Sequence, residues 1–252
     1  MRLSPLTPTL HRSASTEGMY AGTAQFVAAR LVAAGGLRGR FRLALAGGST
    51  PRPLYRHLAA GDGLPAVDWS KVDFFFGDER CVPPDHADSN YRMAHETLLG
   101  RLPIRPAQVH RIIGEDDPRA AAASYQDELG ERPLDLVLLG LGSDGHTASL
   151  FPRGRELSEW QARVVSSRNP LQPHRRVSLS LRALVEAREI CFLVCGVDKA
   201  AVLSKVWTEF GHEQPTLPAA MVRPAGGAVH LFVDPLAAAL LPQPPGDAIP
   251  DP

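Results

Sequence analysis

An aspartate and a histidine two residues apart carry the strongest chemical signal in this sequence. The segment LDLVLLGLGSDGHTASLFP, residues 134–152, runs from an apolar stretch into a glycine-rich turn that presents Asp144 and His146. We expect a buried strand over 134–139 and a short helical segment over 147–150. Open α/β folds build active sites at the carboxyl ends of their strands, and imidazole moves protons well near neutral pH. The pair indicates acid–base chemistry; the alternative is a tight connection with an ordinary surface or core histidine.

The same turn matches a second pattern, because Gly140, Gly142 and Gly145 spell the G-x-G-x-x-G fingerprint of dinucleotide-binding folds. Charge argues against that interpretation, since Asp144 would face a pyrophosphate that it repels. The strand is not the first in the chain, and no clear strand ending in an acidic residue follows about 20 residues later. We therefore expect no nicotinamide cofactor.

A glycine-rich loop earlier in the chain has the composition of a phosphate site. Gly47, Gly48, Ser49, Thr50 and Pro51 lie between a predicted strand and a predicted helix. Pro51 fits the first helical position, and Ser49 or Thr50 fits the N-cap. Free amide groups and the helix dipole at such a terminus favour a bound anion. The alternative is an ordinary capped turn.

Three basic residues next to predicted strands are candidates for holding the same anion. Arg80 ends the segment GDER, whose acidic residues would either hold its guanidinium or take part in the chemistry. Lys199 ends GVDK and would lie in the first turn of a helix, where a bound anion would relieve its unfavourable position in the helix dipole. Arg176 is a weaker candidate of the same kind. A surface salt-bridge cluster and a solvated lysine are the alternatives.

The composition narrows the class of function. Lys plus Arg and Asp plus Glu number 27 each in 252 residues, which argues against general binding to nucleic acid or to a membrane surface. Three cysteines and nine histidines without metal-ligand spacing predict reduced thiols, a cytoplasmic location and no metal site. No apolar run approaches the roughly 18 residues of a membrane span, and no signal peptide is evident. Nothing implies an obligate protein partner.

Apolar strands alternate with amphipathic helices along the chain. Strands are expected at 41–46, 72–76, 134–139, 176–180, 190–195 and 228–233, and helices at 17–34, 51–60, 90–100, 118–130, 198–210 and after Pro235. This alternation predicts an α/β fold with a doubly wound, mostly parallel sheet and helices on both faces, a Rossmann-like three-layer sandwich. We expect one domain over 1–241, insertions near the site at 77–90 and 152–175, an N-cap at Ser89, and a disordered Pro-rich tail at 242–252.

These residues resemble the 6-phosphogluconolactonase family over residues 12–240, in the same order along the chain. LALAGGSTPRPLY (43–55), VDFFFGDERCVPPDHADSNY (72–91) and LVLLGLGSDGHTASLFP (136–152) are similar to its main signatures, and RVSLS (176–180) and FLVCGVDKAAVL (192–203) to weaker ones. Related glucosamine-6-phosphate deaminases carry a D-G-H turn that resembles DGHIAFNEP, and a D-E-Y type sequence where this chain has GDER. Ala220 departs from the family's P-A-S pattern, which puts a ligand role for that loop in doubt.

The resemblance implies hydrolysis of 6-phospho-D-glucono-1,5-lactone to 6-phosphogluconate, in the oxidative pentose phosphate pathway and without a cofactor. His146 would be the general base that activates water, and Asp144 would orient it. The loop at 47–50 would anchor the phosphate together with Arg80, Lys199 and, more weakly, Arg176. The alternatives are a deaminase or aldose–ketose isomerase with Asp78 as the base, and a catalytically silent sugar-phosphate sensor.

Overall fold

The computed structural model describes residues 4–34, 39–169 and 172–242. The strands are β1 (Thr9–Arg12), β2 (Phe41–Leu45), β3 (Val72–Phe76), β4 (Asp78–Arg80), β5 (Leu136–Leu139), β6 (Val164–Arg168), β7 (Arg175–Leu179), β8 (Glu189–Val194) and β9 (Ala228–Val233). The α-helices are α1 (Thr16–Ala34), α2 (Pro51–Ala60), α3 (Asn90–Thr97), α4 (Pro118–Leu129), α5 (Leu181–Glu186), α6 (Ala200–Phe210) and α7 (Pro218–Met221). None of the helices described has both the length and the apolar character needed to cross a membrane.

The main sheet has six strands in the order β1-β9-β8-β5-β2-β3, and every neighbouring pair is parallel. Strand β5 is buried along its whole length, and in β8 only the first residue is partly exposed. Continuous apolar strands of this kind are expected where helices cover both faces of a parallel sheet. The predicted doubly wound α/β fold is confirmed.

The direction of the chain through this sheet reverses at β2. The connection from β2 to β3 moves one way across the sheet, whereas the next connection returns past β2 to β5 on its other side. Because parallel crossovers are right-handed, crossovers in opposite directions place α2 and α4 on opposite faces. The loops that follow β2 and β5 separate at this point and leave a crevice between them.

A second sheet of three antiparallel strands, in the order β4-β7-β6, lies next to the carboxyl end of β3. Its strands β4 and β6 lie in the segments that we expected to be insertions, 77–90 and 152–175. The sequence pattern predicted β7 but not β4 or β6. Strand β4 has only the letters DER, which disfavour a strand, so its pairing with β7 determines its conformation. The edge strand β1 was also missed, because four residues are too few to show a period.

Several predicted helices are shorter than expected. The segment at 147–150 is a turn and not a helix, since Ala148 has a φ of 48°. The helix after Pro235 is only a 3-10 turn, Ala237–Leu240. A 3-10 turn, Val197–Lys199, precedes α6 where we expected its first α-helical residues. Apart from Pro242, the Pro-rich tail lies outside the described residues.

Two histidines meet between neighbouring strands at one edge of the main sheet. Nε2 of His11 on β1 lies 3.1 Å from Nδ1 of His230 on β9, and the His11 ring stacks on Phe232. Oε2 of Glu189 lies 3.5 Å from Nε2 of His230. Burial lowers the pKa of both histidines, and the charge of Arg30 adds to this effect at His11. A hydrogen bond between two ring nitrogens requires one donor and one acceptor, so at least one ring must stay neutral.

This pair predicts an acid-sensitive contribution to stability. Since the folded-state pKa values lie below the unfolded value of 6.5, the unfolded chain binds more protons as the pH falls below that value. The contribution is therefore complete above pH 6.5 and is lost progressively below it. We expect His11→Gln/His230→Gln to show a smaller fall in the free energy of unfolding between about pH 7.5 and pH 5.5 than the unmodified chain, measured by urea denaturation. The exposed His212→Gln is the control, and an equal fall in the double variant would contradict this account.

Candidate active site

A cavity of about 470 Å³ lies at the carboxyl ends of β2, β3, β5 and β8. Eight of the nine residues predicted for the site line it: Gly47, Gly48, Ser49, Thr50, Arg80, His146, Arg176 and Lys199. The ninth, Asp144, does not line the cavity but forms a hydrogen bond with Nδ1 of His146. The structure therefore brings all nine predicted residues to one place.

The turn after β5 holds His146 through its own backbone. The amide of Gly142 donates to the His146 carbonyl over 2.8 Å, and the Thr147 hydroxyl donates to the Gly140 carbonyl over 2.8 Å. Gly145 has a φ of 85°, a conformation that favours glycine. A Cβ at Gly142 would lie 2.0 Å from Nδ1 of His146, so the imidazole occupies space that any other residue would fill.

Asp144 fixes the orientation of this imidazole. Its Oδ1 lies 2.5 Å from Nδ1 of His146 and accepts the backbone N–H of the same residue over 3.1 Å. Burial opposes ionisation of Asp144, but these two hydrogen bonds and the charge of the imidazole hold its pKa below the usual value. A carboxylate that accepts at Nδ1 places the ring proton there, which leaves Nε2 free to take a proton. The side chain of His146 is 30 % exposed, so water can reach the ring.

Two arginines of the small sheet, Arg80 and Arg176, line the cavity. Arg80 on β4 and Arg176 on β7 are directly paired in the small sheet. Arg176 is 3 % exposed; its Nη2 donates to the side chain of Gln172, and its Nη1 has no hydrogen-bond partner among the described residues. Burial and the neighbouring charge of Arg80 lower the pKa of Arg176. A buried donor next to a second positive charge is a site that an anion would complete.

The acidic residues beside Arg80 do not hold its guanidinium, which instead donates from Nη1 to the Asp88 carbonyl over 2.5 Å. Glu79 accepts the backbone N–H groups of Asn90 and Tyr91 over 2.7 and 2.8 Å and therefore caps α3. Ser89 caps the same helix by accepting the N–H of Arg92, as predicted. Burial raises the pKa of Glu79, although the N–H groups it accepts oppose the shift. Glu79 has a structural role.

Asp78 lies in the cavity within a network of neutral donors. Its Oδ2 accepts the Ser149 hydroxyl over 2.5 Å and its Oδ1 accepts Nδ2 of Asn90 over 3.1 Å. A Cβ on Gly47 would lie 2.2 Å from the Asn90 side chain, so Gly47 allows Asn90 to pack under the loop. Sequence reasoning assigned no site role to Asn90 or Ser149, because helix capping and a predicted helix accounted for their positions.

The loop after β2 differs in one respect from the prediction. Pro51 is the first residue of α2, as expected, but neither Ser49 nor Thr50 acts as a side-chain cap. Thr50 has helical angles, φ −58° and ψ −43°, and makes no capping hydrogen bond. The first turn of α2 offers few amides to a ligand, because Pro51 and Pro53 have no N–H and the Arg52 amide donates to the Ser49 carbonyl over 3.3 Å. An amide contact with a ligand therefore has to come from the loop residues Gly48, Ser49 and Thr50, which line the cavity.

Lys199 lines the cavity, whereas Ala220 is not among the lining residues. Nζ of Lys199 is 3.2 Å from Oδ2 of Asp198, and its side chain is 22 % exposed. Lys199 immediately precedes α6 and is not in its first α-helical turn. Ala220, which replaces the expected serine, is fully buried in α7. The three cysteines, Cys81, Cys191 and Cys195, are free thiols.

Comparison with known proteins agrees with this architecture. Residues 14–231 match the family model described as glucosamine-6-phosphate isomerases/6-phosphogluconolactonase. The 6-phosphogluconolactonase of Homo sapiens is 40 % identical over 238 residues, covering 90 % of this chain and 91 % of the relative. That of Treponema pallidum is 41 % identical over 172 residues, 65 % of this chain and 71 % of the relative.

A solved structure extends the similarity to the fold. The 6-phosphogluconolactonase from Trypanosoma brucei superposes with a TM-score of 0.82 at 30 % identity, covering 93 % of this chain and 99 % of that one. Residues 14–231, which the family model matches, contain every residue that lines the cavity. The chain belongs to the glucosamine-6-phosphate isomerase/6-phosphogluconolactonase family.

Proposed function

We propose that this protein hydrolyses 6-phospho-D-glucono-1,5-lactone to 6-phospho-D-gluconate, a step of the oxidative pentose phosphate pathway. The observation that carries the proposal is the contact between Asp144 and His146 at a cavity that the paired residues Arg80 and Arg176 also line. The relatives named 6-phosphogluconolactonase support the same activity. The free thiols of this chain favour a cytoplasmic location.

His146 acts as the general base in this reaction. Its Nε2 takes a proton from a water molecule while the water oxygen attacks the lactone carbonyl carbon, C1. Asp144 stabilises the imidazolium that results and keeps the ring in the productive orientation. When the tetrahedral intermediate breaks down, the bond from C1 to the ring oxygen breaks and His146 returns the proton to that oxygen. This hydrolysis needs no cofactor.

The phosphate of the substrate supplies binding energy at a distance from the reacting carbon. Arg176 and Arg80 meet it from the small sheet, and Lys199 and the loop Gly48–Thr50 line the same cavity. A fixed phosphate places C1 relative to His146, which converts binding energy into rate. The developing oxyanion meets backbone N–H groups or an arginine.

Replacing the base tests the assignment directly. We expect His146→Ala to lower the rate by roughly 10²–10⁴-fold, the usual contribution of a general base, and to keep its affinity for 6-phosphogluconate. The measurement is proton release from freshly generated lactone in weak buffer, with spontaneous hydrolysis subtracted. His212→Ala, at an exposed position, is the control. An unchanged rate in His146→Ala would reject the base, and ammonia release from glucosamine 6-phosphate would point to a deaminase.

The space at Gly142 gives a second test that leaves every reactive group in place. Gly142→Ala puts a methyl group where the imidazole lies, so His146 must move and the rate should fall at least tenfold while the fold persists. Gly22→Ala, in α1, adds a methyl group that meets nothing within 4 Å and should leave the rate unchanged. Full activity in Gly142→Ala, with a circular dichroism spectrum like that of the parent, would show that the position of the ring is unimportant.

The anion role of Arg176 can be separated from catalysis with its neighbour on β7. Arg176→Met should weaken 6-phosphogluconate binding by roughly 10–100-fold, as expected for loss of a charge-assisted hydrogen bond. Arg175→Met removes an exposed charge from the adjacent position and should change binding little. Both variants should hydrolyse the unphosphorylated gluconolactone at the parent rate. Equal effects of the two substitutions on calorimetric affinity would contradict a phosphate contact at Arg176.

A further inference from the structure

Three ligand-type side chains outside the reaction chemistry lie together at the edge of the small sheet. His86 and Asp88 belong to the loop before α3, and His174 immediately precedes β7. Nε2 of His174 is 3.2 Å from Oδ2 of Asp88, and Nδ1 of His86 is 3.9 Å from the same oxygen. We propose that this cluster, His86–Asp88–His174, binds a divalent transition-metal ion such as Zn²⁺.

The spacing of the donor atoms fits such an ion. A tetrahedral centre with metal–ligand distances of about 2.0–2.1 Å separates its ligand atoms by about 3.4 Å. One donor atom from each of the three residues already lies within 4.8 Å of the others, so small side-chain rotations would close the site. Side-chain exposures of 43 %, 57 % and 30 % for His86, Asp88 and His174 leave room for water as a fourth ligand.

The chemistry of the donors selects the class of ion. Two imidazoles and one carboxylate suit Zn²⁺, Co²⁺ or Ni²⁺, whereas Mg²⁺ and Ca²⁺ prefer sites made of oxygen. The backbone N–H of Asp88 donates to Nδ1 of His86 over 3.1 Å, which identifies that nitrogen as unprotonated. A bound ion would take the place of the amide hydrogen there.

The surrounding structure holds the cluster from two directions. Asp88 is fixed through its carbonyl, which accepts the guanidinium of Arg80, and His174 through its position at the start of β7. A bound ion would therefore cross-link the loop before α3 to the strand that carries Arg176. The positive charges of Arg80 and Arg176 oppose a cation nearby, while the Asp88 carboxylate offsets them in part.

No sequence motif predicts this site, because 86 residues separate His174 from Asp88. Metal motifs are recognised by ligands a few residues apart, and here only His86 and Asp88 are close along the chain. The antiparallel pairing of β4 with β7 brings the two segments together.

Cobalt titration of the full, untagged chain tests the proposal. We expect Co²⁺ to give visible d–d absorption that added Zn²⁺ abolishes, and Zn²⁺ to raise Tm. His86→Ala and His174→Ala should each weaken Co²⁺ binding at least tenfold and remove the Zn²⁺-dependent rise in Tm. His212→Ala and His146→Ala should retain both responses.

Two outcomes would overturn the proposal. Unchanged Co²⁺ affinity in His86→Ala and His174→Ala would mean that the cluster binds no metal. Loss of binding in His146→Ala alone would place the ion on the proposed catalytic imidazole. Because the assay reads metal binding and not turnover, failure of the proposed lactonase activity would leave its result interpretable.

Discussion

The His146 imidazole occupies the space that a side chain at position 142 would fill, so its position depends on Gly142. A Cβ at this position would lie 2.0 Å from Nδ1 of His146, so the ring can keep its place only next to a glycine. The hydrogen bond from the Gly142 amide to the His146 carbonyl closes the same turn, so one glycine supplies both the space and the backbone constraint. Asp144 then determines which nitrogen carries the proton. Gly142, one of the three glycines that match the dinucleotide fingerprint, thus leaves space for a side chain of its own turn.

The second constraint on the cavity is the positive charge of the two arginines that line it. The pairing of β4 with β7 places Arg80 and Arg176 side by side, although two guanidinium groups repel one another. Each has one donor occupied by the protein, through the Asp88 carbonyl and the Gln172 side chain, but Nη1 of Arg176 stays buried without a partner among the described residues. An anion bound by both arginines, as the proposed phosphate contact requires, would offset this repulsion. A doubly charged phosphate meets that requirement better than a carboxylate.

The sequence predicted the parallel sheet and the residues of the cavity because both depend on local signals. Apolar runs such as 136–139 indicate buried strands. A glycine followed by a charged residue indicates the end of a strand, where a ligand site is expected. The small sheet could not be predicted in the same way, since DER in β4 becomes a strand only through contacts made about a hundred residues later. The helical segment predicted at 147–150 is a turn, so that prediction is wrong. Its backbone instead places Ser149 against Asp78, a tertiary contact that no local pattern reveals.

The histidines of this chain show how one side-chain type takes different roles through its partner. His146 has a carboxylate at Nδ1 and a side chain that is 30 % exposed, which suits the proposed role of its second nitrogen as a proton acceptor. His11 and His230 have each other as partners, and burial lowers the pKa of both. His86 and His174 share one carboxylate at the surface, where an ion can displace weak hydrogen bonds without disturbing the core. Composition alone counts these side chains as equal, whereas burial and the nearest polar atom distinguish the proposed base, the buried pair and the proposed metal ligands.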